Sequence, residues 1–176
     1  TFEPINVILA KVRVASYFSA KASEVKVEDY QPGDKLIPFE VLEEFKGKDL
    51  VGMSYEQLMP YVPLEKPAFT VVAGDFVTTE DGTGIVHISK TFGADDYRVC
   101  VQNGIPGVLV KDEEGNDVPI VDKQGRYVKE IAEFAGMYVK NEYYSDEERP
   151  AKSLDVLISI KLKEENRAFR VEKYEH

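Results

Sequence analysis

Apolar and polar residues alternate in short bursts along this chain. Residues 6–10 read NVILA, an apolar run of strand length. Residues 11–22 change period: Val14, Tyr17 and Phe18 fall at i, i+3 and i+4, the spacing of one helix face. Pro32-Gly33 predicts a turn. Residues 37–45 (IPFEVLEEF) and 46–56 (KGKDLVGMSYE) predict two strands joined through Gly47, and Pro60 and Pro63 bound a loop. Residues 68–73 (AFTVVA) predict a strand that ends in a turn at Gly74-Asp75. Residues 76–79 lead to the turn signal EDGTG, after which 85–88 again predict a strand. Residues 94–103 predict a helix, with acids in its first turn and Gly104 just past its end. Strands at 108–111 and 118–121 flank the hairpin signal DEEGND. DKQGRY marks another turn, and 128–134 a short helical piece. Residues 154–163 are the best helix candidate: Ser153 offers an N-cap, and Leu154, Leu157, Ile158 and Lys161 share a face. Residues 168–174 return to an extended pattern.

Short strands dominate this reading. It predicts a mainly β chain with peripheral helices (α+β), its sheet strongly curved or barrel-like. A length of 176 residues favours one domain, 1–176, and 43% apolar residues can fill a core. There is no internal repeat and no low-complexity tract.

The net charge of −10 repels phosphates at long range, so a nucleic-acid partner has to be held mostly by another part of the protein. Cys100 is the only cysteine, which excludes an intrachain disulfide and points to a reducing, cytoplasmic setting. The only histidines are His87 and His176, so Cys/His zinc sites are excluded and no metal site is expected. No apolar run approaches the roughly 20 residues of a membrane helix. The first residues carry no secretory pattern, and a strand that begins so soon, without Met, suggests a piece of a longer protein.

Candidate chemistry concentrates in residues 82–96, GTGIVHISKTFGADD. On an alternating strand His87 and Ile85 share one face. Gly82 and Gly84 permit a sharp turn and a close approach. Asp95 and Asp96 open a helix whose free N–H groups favour an anionic or carbonyl oxygen. The same residues also fit a plain structural role, with Asp95 as a cap, Asp96 favouring the helix dipole and His87 as a hydrogen-bonded sheet histidine. Cys100 reads as a small buried apolar residue rather than as a nucleophile. No serine or cysteine has a recognisable nucleophile setting, which disfavours a covalent mechanism.

GTGIVHISKTFGADD resembles the signature of the editing domain of isoleucyl-tRNA synthetases, and the flanking segments EDYQPGDKLIPFEVLEEFKGKDLVGMSYEQLMPY, GDFVTTEDGTG and LKEENRAFRVEKYEH are similar to that family in order along nearly the whole chain. The resemblance implies the closed β-barrel-like core shared by valyl, isoleucyl and leucyl editing domains. It implies hydrolysis of mischarged Val-tRNA(Ile), with valyl-adenylate as a second substrate, inside an enzyme that joins isoleucine to tRNA(Ile) using ATP. His87 matches a histidine implied to contact the terminal ribose hydroxyls, and Asp96 a carboxylate implied to grip the α-ammonium of the misplaced amino acid. Phe92, Gly93, Thr83, Gly84, Ser89 and Lys90 are the implied substrate-contacting residues. No cofactor is implied for this domain; ATP and Mg, with Zn as a further candidate, are implied for the whole enzyme. Implied partners are the valine-bearing 3′ end of tRNA(Ile) and the remainder of the synthetase, the fragment itself being monomeric and free of membranes. Lys90 and Ser89 depart from the usual proline and alanine. The family's threonine-rich peptide corresponds to sequence before Thr1, so one wall of the pocket is expected to lie outside this chain. The alternative is a tRNA- or protein-docking β-domain whose catalysis has lapsed. The basic residues Lys161, Lys163, Arg167, Arg170 and Lys173, interleaved with Glu164, Glu165 and Glu172, read as a solvated face in preference to a track for the acceptor strand.

Overall fold

The computed structural model describes residues 4–64 and 66–172. Most of this backbone is irregular or extended, interrupted by short helices. A 3₁₀ turn at Lys11–Arg13 runs into helix α1 (Val14–Tyr17). Further 3₁₀ turns follow at Ala20–Glu24, Val27–Asp29 and Gly47–Leu50. Helix α2 (Ala94–Gln102) precedes a hairpin of β1 (Leu109–Lys111) and β2 (Asp117–Pro119). After 3₁₀ turns at Lys129–Phe134 and Asn141–Tyr143 comes helix α3 (Leu154–Glu164).

The expected closed barrel is not present. Among the described residues the one ladder is β1–β2, antiparallel, with Leu109 opposite Pro119, Val110 opposite Val118 and Lys111 opposite Asp117. Elsewhere single bridges join Ser54 to Thr70, Val121 to Tyr127 and Arg126 to Tyr138. A barrel needs each strand bonded to a neighbour on both sides. Residues 6–10, 37–45 and 85–88 have no regular secondary structure and join no ladder. Many of their apolar side chains face solvent, with Ile37 at 63% and Leu42 at 68% exposure, while Pro38 is buried and Phe39 half-buried. Alternation there marks side chains able to be buried, without a strand to bury them against. Residues 68–73 come closest. Val71 accepts from the Gly52 N–H at 2.9 Å and donates to the Met53 carbonyl at 2.8 Å, so two residues oppose one. Gly52, at φ +90°, takes the left-handed backbone of a bulge that breaks the ladder. Gly47–Leu50, expected as the joint at Gly47 and the first part of the strand over 46–56, forms a 3₁₀ turn instead, with the Asp49 carboxylate accepting the Lys46 N–H at 2.9 Å.

The helix expected over 11–22 is split. Phe18 leaves helical backbone (φ −126°, ψ 135°) and stacks on Phe39, ring centres 4.7 Å apart. Phe169 packs beside both Phe18 and Tyr17, at 5.8 and 6.2 Å. The Arg170 guanidinium lies over Tyr17 and donates to the Ser16 carbonyl at 3.0 Å. This aromatic clasp joins three stretches far apart in sequence. The expected extended segment 168–174 is described only to 172; Lys173, Tyr174 and His176 lie outside the described residues.

The principal core sits beneath the hairpin and α3. Val62, Val110, Ile131, Phe134 and Leu154 are buried together. Helix α3 contributes the face its spacing predicts: Leu154 is buried, and Leu157 and Ile158 pack against the cluster. Ser153 is its N-cap residue, through its backbone carbonyl (Leu157 N–H at 3.1 Å) rather than a side-chain bond. The Tyr61 hydroxyl donates to Glu133 Oε1 at 2.6 Å, and Lys161 reaches Glu133 at 3.0 Å and Glu165 at 2.7 Å. These contacts tie the 59–61 loop, the turn at Lys129–Phe134 and α3 together.

That tie carries a pH signature. The Tyr61 hydroxyl first, then a backbone N–H and Lys161, hold the Glu133 carboxyl at about 2, below its ordinary 4.5. A lowered folded-state pKa gives a contribution that is whole above about 4.5 and lost as the pH falls through 2. Urea midpoints of the chain are therefore expected to drop between those pH values, and Glu133→Gln to flatten that part of the drop. An identical pH profile for the variant would remove Glu133 from the acid response. Burial, followed by the Glu133 bond, pushes the Tyr61 phenol up to about 12.

Candidate functional site

The turn before the candidate stretch is braced by the first helical segment. Arg13 donates through Nε to the Gly82 carbonyl at 3.0 Å and through its terminal nitrogen to the Glu80 carbonyl at 2.9 Å. The Ala10 N–H donates to the Thr83 carbonyl at 2.7 Å. Gly84 has φ +79°, and a Cβ there would fall 2.7 Å from the Ala10 Cβ. Both demands, left-handed backbone and close approach, call for glycine. Thr83 Oγ1 closes a local loop with the Ile85 backbone at 3.2–3.3 Å. Arg13 and Ala10 escape sequence reasoning because their contacts cross some seventy positions of chain.

The backbone then runs without regular secondary structure past His87, which is exposed. Ser89 begins a tight turn, its carbonyl accepting the Phe92 N–H at 3.1 Å. The Ser89 and Thr91 hydroxyls stand 3.4 Å apart. Gly93 is the N-cap residue of α2, and its carbonyl accepts the Tyr97 N–H at 2.8 Å. As the sequence predicts, Asp95 and Asp96 lie in the first turn. At the other end Gly104 (φ +67°) closes the helix with the bond pattern of a Schellman cap: Ile105 N–H to Cys100 O at 2.8 Å, and Gly104 N–H to Val101 O at 3.2 Å.

The two acids part company here. Asp95 pairs with Arg98 at 3.3 Å, and Arg98 also holds Asp75 at 3.2 Å. Asp96 is half-buried and accepts the Ser89 N–H on Oδ2 at 2.9 Å. No ion pair forms on Asp96 among the described residues. Burial first, and then the Asp96 carboxylate, push the Cys100 thiol up, with Lys90 opposing. Cys100 is 1% exposed, as a small apolar residue would be, and its thiol stays protonated.

The structure thus brings Ser89, Gly93 and Asp96 into contact, with Lys90 and Cys100 in electrostatic reach. His87 and Phe92 are exposed, and no hydrogen bond joins His87 to Asp96. Two open clefts of about 430 and 550 Å³ lie elsewhere. The first is lined by Leu58, Met59, Tyr61, Lys161 and Arg167, the second by Pro4, Ser23, Phe39 and Glu40 among others. Arg167 and Arg170 are engaged within the chain, Arg167 donating to the Gln57 carbonyl at 3.1 Å and Arg170 pairing with Glu172. Among the described residues no group of three or more His, Cys, Asp or Glu is placed to hold a metal ion, and no helix is long and apolar enough to cross a membrane.

No family model matches the chain. Among curated proteins it is similar to the isoleucine--tRNA ligase of Cytophaga hutchinsonii, 59% identical over 186 residues that cover 100% of this chain and 17% of that protein. The isoleucine--tRNA ligase of Bacteroides fragilis is 46% identical over 192 residues, again 100% of this chain and 17% of the relative. The cytoplasmic isoleucine--tRNA ligase of Arabidopsis thaliana is 43% identical over 122 residues, 69% of this chain and 10% of that protein. The chain spans 17% of the length of the first of these relatives.

Proposed function

This chain is homologous from end to end to one segment of the isoleucine--tRNA ligases, and from that premise we propose that it is their editing domain, hydrolysing valine from mischarged tRNA(Ile). An apolar pocket gains only about 1–3 kcal/mol from one methylene, a rule for which isoleucine enzymes are themselves the standard illustration, so valine is accepted too often by a single sieve. A second site that hydrolyses the valyl ester removes the error. That reaction needs a held ammonium, a positioned water and donors for the developing oxyanion.

The observation that carries this reading is the state of Asp96. Its neighbour Asp95 is neutralised by Arg98, whereas the half-buried Asp96 has one oxygen fixed by a backbone N–H and no cation paired to it among the described residues. A carboxylate so placed is suited to a cationic ligand, and the α-ammonium of an aminoacyl ester is one. In this reading Asp96 fixes the ammonium and His87 meets the ribose hydroxyls of the terminal adenosine. Phe92, Gly93, Thr83, Gly84, Ser89 and Lys90 border the substrate. ATP and Mg, with Zn as a further candidate, belong to the ligation reaction of the whole enzyme, whose cytoplasmic setting and tRNA(Ile) partner we carry into the proposal.

The test uses the full-length ligase that contains this segment. Val-tRNA(Ile) is expected to be deacylated far faster than Ile-tRNA(Ile), and Thr-tRNA(Ile) more slowly than the valyl ester. Valyl ester that survives as long with enzyme as in buffer would overturn the proposal and leave a docking module. Preference for the threonyl ester would point to a valyl-type editor.

A further inference from the structure

Gly93 begins α2, yet its backbone does not require glycine. Its φ of −165° and ψ of 146° are ordinary extended values. Serine, threonine, aspartate and asparagine are as good or better at that position of a helix. Space supplies the reason instead. A Cβ on Gly93 would lie 3.1 Å from Cγ of Asp96, 3.3 Å from Oδ2 and 3.4 Å from Oδ1. The carboxylate lies flat over the place a methyl would take.

Asp96 is the third residue of the helix. An acid there commonly folds back to the N–H of the capping residue. This one reaches further, to the N–H of Ser89 at 2.9 Å. The longer reach carries the carboxylate across Gly93.

Resting on the reading of Asp96 given above, we infer that Gly93 is a positioning residue: its bare Cα is the floor for the Asp96 carboxylate, the Ser89 N–H clamps Oδ2, and Oδ1 is left to meet the substrate ammonium. Any side chain at 93 lifts the carboxylate by a few tenths of an ångström or breaks the Ser89 bond. Misplacement by about 1 Å costs on the order of 100-fold in rate, so this smaller shift costs about tenfold.

Gly93→Ser in the full-length ligase separates this role from a helix-capping one. Serine caps a helix slightly better than glycine, which offsets strain on the Ser89 bond, so the thermal midpoint is expected to change little. The kcat/KM for Val-tRNA(Ile) hydrolysis is expected to fall about tenfold. Gly93→Ala, which adds the methyl alone, is expected to show the same loss. The decisive comparison uses tRNA(Ile) charged with 2-hydroxyisovalerate, in which a hydroxyl replaces the ammonium. Because Gly93 acts through the ammonium's partner, its penalty on this ester is expected to shrink below about twofold. Equal penalties on both esters would overturn the inference in favour of simple crowding of the pocket. An undiminished valyl rate in both Gly93 variants, with Asp96→Ala strongly slowed, would overturn it while sparing the role of Asp96. An undiminished rate in Asp96→Ala would remove the underlying reading and the inference with it.

Discussion

Asp96→Ala in the full-length ligase is expected to slow Val-tRNA(Ile) hydrolysis by roughly 30- to 150-fold. An ammonium about 4 Å from a carboxylate gains about 4 kcal/mol at an effective dielectric near 20. Desolvation of both ions takes back part of it, leaving about 2–3 kcal/mol. Asp96→Asn sharpens the test, because its amide oxygen still accepts the Ser89 N–H bond seen at 2.9 Å while the charge is gone. Both variants are expected to lose activity, and the alanine variant alone to loosen the turn at Ser89. Full hydrolysis by Asp96→Asn would mean that Asp96 serves the loop and not the ammonium. Single-turnover deacylation at saturating enzyme reads the effect without interference from product release.

The second large effect concerns the core. Phe134 is 4% exposed and meets the Tyr61 ring edge-on at 6.3 Å. Phe134→Ala removes a ring from a cluster of few fully buried side chains, at a cost of about 3–5 kcal/mol. Total stabilities of about 5–15 kcal/mol are usual, so much of the folded population is expected to be lost by 37 °C. Phe92→Ala, on a side chain 53% exposed, is expected to change stability by less than about 0.5 kcal/mol. Urea unfolding of the 176-residue chain decides the matter. A loss under about 1 kcal/mol for Phe134→Ala would place the core elsewhere.

Local features were legible where one stretch of chain contains both halves of an interaction. Helix α2 is such a case: its acids and the closing Gly104 lie within a dozen positions, and the cap forms as read. The β1–β2 hairpin is another. Asp112 accepts the N–H groups of Glu114 and Asn116 at 3.0 and 2.8 Å, so DEEGND carries its own turn. Helix α3 buries the face its spacing marks. What failed was the strand pairing and the long first helix, both of which depended on distant partners. Apolar alternation at 37–45 and 85–88 describes what a strand offers to a neighbour, and no described strand accepts it. The helix predicted through Phe18 broke because stacking on Phe39 outweighed one more helical turn. In the candidate site the acid at the helix start was readable. Its bond to Ser89 was not, since that depends on the path of the 89–92 turn and on the empty space at Gly93.

The aromatic clasp has a kinetic consequence. Arg170 reaches Ser16 across 154 positions of chain. Closing so long a loop is entropically costly until the intervening chain has shortened the path, and each halving of the free loop lowers that cost by about 0.6 kcal/mol. The hairpin and α3 need no such help. On refolding they are expected to consolidate first and Phe18, Phe39 and Phe169 to come together late, so hydrogen exchange under mild denaturant is expected to open the clasp before the hairpin and α3.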